Sequence, residues 1–167
     1  MNNATFDGQY AEELAELHDG SIGLFVTLPV FRSLLVSDQR ASALGQFEGL
    51  VAEHLAHLDG ILGDVLVRRD RSDSDLTRSL FRSLGLLRQR PASLTRDREI
   101  LSVVSQAQVF LMGSCSYALR FARQASVERG VHVLEASLTR IGSLAVQFLV
   151  PNDGDESVHE WSSNAVA

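Results

Sequence analysis

The chain has 167 residues, 45% apolar and 22% charged, which is ordinary for a globular protein and enough for one domain with its own core. Twenty-one acids against fifteen bases give a net charge of −6, which argues against nucleic acid as a primary partner. Every base is Arg, and the single Cys115 excludes an internal disulfide, so a reducing, cytoplasmic setting is expected.

Residues 1–8 read as a flexible arm ahead of one helical domain over residues 9–150. No basic-then-apolar leader opens the chain, and Glu12, Glu13 and Glu16 sit where a helix N-terminus favours acids. The spacing predicts a first helix over residues 9–36 with the stripe Leu14, Leu17, Leu24, Leu28, Phe31 and Leu35. Ser21 fills the missing rung, and Pro29 is expected to bend or break the helix.

Ser37 or Asp38 is expected to cap a second helix over residues 38–67, striped by Leu44, Phe47, Val51, His54, Leu55, Leu58, Ile61, Leu62 and Val65. Residues 68–74 form a charged loop in which Arg and Asp interleave, the pattern of a solvated segment. Ser74 or Asp75 then caps a short amphipathic helix over residues 76–88, with Leu76, Leu80, Phe81, Leu84 and Leu87 inward. Arg90-Pro91 ends it.

From Ile100 to Leu119 no residue is charged, and apolar positions cover most of a helical circumference. Such a helix is either buried or membrane-spanning. Ser102, Ser105, Gln106, Gln108, Gly113, Ser114 and Ser116 interrupt the run and favour the central helix of a soluble bundle over a membrane span. It is expected to start at Ser93 or Thr95 and run to Arg129, where Gly130 stops it. A last helix over residues 131–150 carries Leu134, Leu138, Ile141, Leu144, Ala145 and Phe148, and Pro151 closes it. Residues 151–167 form an acidic flexible tail whose Trp161 is either solvated or an anchor for the bundle or a partner. No strand pattern and no internal repeat occur.

The expected fold is therefore all-α, an up-down four-helix bundle with a short extra helix in the crossover between long helices two and three. Three segments carry a family resemblance: Leu17-His18-Asp19-Gly20-Ser21-Ile22-Gly23-Leu24 with Leu28-Pro29, then His54-Leu55-Ala56-His57-Leu58, then Val104–Met112 with Leu119-Arg120. They resemble the YciF-like branch of the ferritin-like superfamily, whose members look like di-iron carboxylate bundles. In that register the ligand carboxylates are replaced. Ser21 and His57 stand in the first two helices, Val109 and Met112 in the third, and Arg140 and Ile141 in the fourth. The resemblance then implies a bundle that has lost its di-iron site, with Ser21 and the small run Gly113, Ser114, Cys115 and Ser116 letting helices approach closely.

Glu53, His54 and His57, with Glu16, His18 or Asp19 opposite, are the candidate ligands for iron or zinc in a rearranged site. Cys115 reads as a small buried hydrophobe, and Ser114-Cys115-Ser116 lacks a neighbouring base. His18-Asp19 also suggests a phospho-accepting histidine. No phosphate loop or Cys-pair zinc motif occurs. A small apolar ligand held where the metals once sat is a further expectation, supported by Met112 and the small residues.

Apolar residues Ile22, Phe25 and Val26 exceed what one stripe needs and suggest a homodimer or another protein partner. The expected function is thus self-association or partner binding without a resident cofactor, without nucleic acid and without a membrane. The alternative is a metal-binding iron handler or oxidase.

Overall fold

Three serines open three helices by one device. Ser37 Oγ accepts from the Arg40 N–H (3.4 Å), Ser74 Oγ from Thr77 (3.1 Å) and Ser93 Oγ from Arg96 (3.2 Å). Each supplies a partner to one of the N–H groups that a helix start leaves unpaired. The computed structural model describes residues 3–63 and 74–149. They form α1 (Asn3–Leu34), α2 (Asp38–Leu62), α3 (Asp75–Arg88), α4 (Leu94–Gln124) and α5 (Glu128–Leu149), with no strand among the described residues.

The four long helices form a ring: α1 and α5 each pack against α2 and α4. Asp97, at the start of α4, bonds the backbone between α1 and α2. Gly130, at the start of α5, lies against Tyr10 near the start of α1. All four neighbouring pairs are therefore antiparallel, while α2 and α4 are parallel and diagonal. The connection from α2 to α4 spans that diagonal, and α3 within it lies on α1 and α4.

The core follows the stripes. Leu14, Leu17, Leu24, Leu28 and Phe31 of α1 meet Leu44, Phe47, Val51 and Leu58 of α2, and Ile100, Val104 and Leu111 of α4, all essentially without solvent. Each such side chain stabilises the fold by about 1.5–3 kcal/mol relative to exposure. Ser21 occupies the missing rung as expected, fully buried, and its hydroxyl donates to the Leu17 carbonyl (2.7 Å). That local bond lets a hydroxyl enter the core without an unmet donor.

Several expectations are corrected. Backbone helix begins at Asn3, inside the segment read as an arm, because nothing before Pro29 interrupts α1. Pro29 itself lies within α1, which continues to Leu34. Only the Phe25 carbonyl loses an in-helix donor there, one turn before the end. Residues 64–67, read as the end of the second helix, and the tail with Trp161 lie outside the described residues.

The end of α4 moves by five residues. The helix ends at Gln124 rather than Arg129, and Gly130 sits inside α5. Ser126 takes the left-handed conformation (φ 58°), while Val127 N–H bonds the Ala122 carbonyl (2.9 Å) and Ser126 N–H that of Arg123 (3.3 Å). This is a Schellman ending with serine where glycine is usual. Gly130 serves packing instead: a Cβ there would lie 2.3 Å from Tyr10 Oη.

Nor is α4 buried all round. Val109 and Tyr117 are exposed, at 66% and 58%. By length and composition α4 could cross a membrane, but here α1, α3 and α5 cover only one side of it. Phe81, expected in the core, is half exposed, one helical step outside the Leu80–Leu84 line. Gly113 faces open space and mediates no close approach. Besides Gly130, the glycines that do so are Gly20 and Gly23, whose missing Cβ atoms let α3 seat Leu76 and Thr77 on α1. The Thr77 hydroxyl donates across that seam to the Asp19 carbonyl (3.1 Å).

Candidate functional site

Buried polar side chains gather along the inner faces of the ring. On α1, His18 and Ser21 point inward one turn apart; α2 contributes His54, α4 Gln108 and Cys115, and α5 Ser137. His18 Nε2 lies 2.8 Å from Asp59 Oδ1, which sets the α1–α2 register. Five residues back along α2 from Asp59, antiparallel geometry brings His54 level with the Ser21–Leu24 turn of α1. His54 Nδ1 lies 2.9 Å from Ser137 Oγ, tying α2 to α5. Cys115 Sγ donates to the Leu134 carbonyl (3.5 Å) and Gln108 Nε2 to that of Ile141 (2.8 Å), tying α4 to α5. Ser21, His54 and Ser137 thus belong to one polar layer near the middle of the bundle.

His54 is 2% exposed, and its Nε2 has no hydrogen-bond partner among the described residues. Burial, with smaller contributions from the nearby His57 and His18, lowers its pKa from 6.5 to about 4, so the ring is neutral at physiological pH. Which nitrogen carries the proton depends on whether Ser137 donates or accepts. Either way one buried ring nitrogen faces the interior unmet, which costs free energy. Burial also pushes the Cys115 thiol up to about 12, so it is not a thiolate nucleophile at neutral pH.

The three candidate metal ligands do not come together. Glu53 is exposed and ion-paired with Arg140 of α5; His57 is exposed; only His54 turns inward. Three residues advance a helix by about 300°, so the edge of the buried stripe passes between His54 and His57. Of the opposing candidates, Glu16 is exposed, while His18 is taken up by Asp59, with Asp19 Oδ1 3.7 Å from its Nδ1. At 5% exposure His18 is also closed to a phosphoryl donor. Among the described residues no three His, Cys, Asp or Glu side chains converge as a metal group would need. A di-iron centre requires several inward carboxylates, and the central layer offers Ser21, His54 and Ser137. That donor set does not fit it.

Among the described residues one carboxylate is fully buried, and it is structural. Asp97 accepts from the Val36 N–H and the Ser37 N–H, both at 3.0 Å, and Arg40 stands 3.8 Å away. It completes the turn between α1 and α2, assisted by Arg96, which donates to the Leu34 carbonyl. Sequence reasoning missed Asp97, Ser137 and Asp59. Two left a readable trace: Asp97 continues the Ile100–Val104–Leu111 stripe backwards, and Ser137 falls between Leu134 and Ile141. A polar residue in register with a core stripe is the signal. Gln108 carried the same one.

Comparison with known proteins finds no family model and no curated protein that matches the chain.

Proposed function

We propose that this chain is a ferritin-like helical-bundle protein that has lost its di-iron site and acts in the cytoplasm by self-association, as a homodimer, or by binding a protein partner. The observation that carries the reading is the exposure of Ile22, Phe25 and Val26 together on one face of α1 (41–50%). Large apolar side chains clustered on a helix face mark an interaction surface more often than isolated ones do. The diagonal crossover bearing α3 supports the ferritin-like ancestry, since such bundles place one long connection between their second and third long helices. The neutral central layer supports the loss of metal.

Sedimentation velocity tests the association. A dimer at tens of micromolar that Phe25→Asp/Val26→Asp converts to a folded monomer is the expected result. A wild-type monomer at that concentration, with no captured partner that the same variant releases, would sink the reading.

One observation favours the alternative, an iron- or zinc-binding protein: the unmet Nε2 of His54 is a ligand type seated at the bundle centre. Elemental analysis after anaerobic Fe(II) or Zn(II) loading separates the two. Near-stoichiometric metal that His54→Gln abolishes would establish the alternative.

A further inference from the structure

The charges of this protein are unevenly placed. Although the chain is acidic overall, the segments that meet at the α1–α2 turn, residues 32–40 and 88–99, hold six Arg against the three acids Asp38, Asp97 and Glu99. Arg82 and Arg88 of α3 are exposed and have no carboxylate partner among the described residues. Arg96 donates to the carbonyls of Leu34 and Arg90, which leave its charge uncompensated. Three exposed apolar side chains, Val36, Leu86 and Leu94, at 49–59%, belong to the α1–α2 turn, the last turn of α3 and the first turn of α4, the segments that carry or adjoin these cations. A mixed basic and apolar surface calls for an occupant that is acidic and carries an apolar anchor.

The chain supplies one. Residues 151–167 contain Asp153, Asp155, Glu156 and Glu160, no Arg, and Trp161, the only tryptophan. They lie outside the described residues, but where they leave the bundle is fixed by register. Cys115 faces Leu134 and Gln108 faces Ile141. Continued along the antiparallel pair, that spacing sets Leu149, the last residue of α5, level with Ile100, one turn from Asp97 and the α1–α2 turn. The acidic segment therefore departs from the basic end. Neighbouring helices stand about 8–10 Å apart, and the ten residues from Pro151 to Trp161 reach up to about 33 Å, so every part of that surface is accessible to the indole.

We infer that residues 151–167 dock on the basic end of their own bundle, with the acids facing Arg82, Arg88 and Arg96 and Trp161 covering the apolar patch of Val36, Leu86 and Leu94. Tethering makes the contact intramolecular and raises its effective concentration without any new interaction. This inference is independent of the self-association reading, which concerns the middle of α1.

Trp161 reports the contact directly in the full-length protein. At low salt its emission should be blue-shifted and protected from acrylamide. In about 1 M NaCl, where charges are screened beyond about 3 Å, it should move toward that of a solvated indole. Arg82→Glu/Arg88→Glu should lower the ratio of docked to free segment by roughly tenfold at low salt, and Glu156→Arg/Glu160→Arg added to it should restore protection. Circular dichroism checks that the variant keeps its helices, and the salt titration of the wild type needs no variant at all. Solvated emission at low salt would overturn the inference. So would a shielded indole indifferent both to salt and to the Arg substitutions, or a blue shift that vanishes on dilution, which would place the segment on a second copy.

Discussion

His54 and Ser137 meet in the interior, Nδ1 to Oγ at 2.9 Å, and this contact ties α2 to α5. It fixes how two antiparallel helices slide past each other, since an apolar pair would tolerate neighbouring registers. It also leaves the far side of the imidazole unmet, and that makes the bundle sensitive to acid.

The folded protein holds the His54 pKa near about 4, against 6.5 ordinarily. As pH falls through about 6.5 the unfolded chain takes up a proton that the folded chain refuses until about 4. Stability from this group is therefore complete above about pH 7, declines through that window and levels off below it. The difference amounts to about 3 kcal/mol. Urea unfolding of wild type and His54→Gln at about pH 7 and about pH 4.5 should show the variant gaining on the wild type by roughly that amount in acid. An unchanged difference would mean that His54 titrates normally.

Asp97 accepts from two backbone N–H groups, those of Val36 and Ser37, in a buried turn. Asp97→Ala should destabilise by about 3 kcal/mol, because it strands both donors in a buried turn. Asp97→Asn should cost less, since an amide oxygen still accepts one bond while its NH2 opposes the other. Denaturant midpoints order the three proteins; equal midpoints for Ala and wild type would remove Asp97 from the account.

Two mid-helix glycines should respond to alanine with opposite sign. At Gly23 a Cβ would stand 2.2 Å from Thr77 Oγ1, so Gly23→Ala should push α3 from α1 and destabilise by about 1–3 kcal/mol. At Gly113 a Cβ meets nothing within 4 Å, so Gly113→Ala should stabilise α4 by up to about 1 kcal/mol. Thermal melting of the pair decides it, and shifts in the same direction would contradict the close α1–α3 seam.

Ser126 holds a left-handed backbone that suits glycine. Ser126→Gly should relieve about 1 kcal/mol of strain and raise the melting temperature, whereas Ser126→Val should lower it.

The sequence alone determined the helices and their inner faces. Leucine and phenylalanine recur at three and four residues along each stripe, and the hydrophobic effect acts on that periodicity wherever the partners lie. Capping serines were equally legible, because a cap is made within four residues of chain. What tertiary structure decided are the properties that depend on a neighbour distant in sequence. The break before α5 falls at Ser126, which takes the left-handed backbone, while Gly130 sits inside α5 against Tyr10 of α1. The uncharged stretch of α4 kept a solvent face, because the ring covers only one side of it. The candidate ligands separated because Glu53 found Arg140, His18 found Asp59, and His54 turned toward Ser137. Each is a pairing 41 to 87 residues apart along the chain. Periodicity says that a side chain points inward. Only packing says what it finds there.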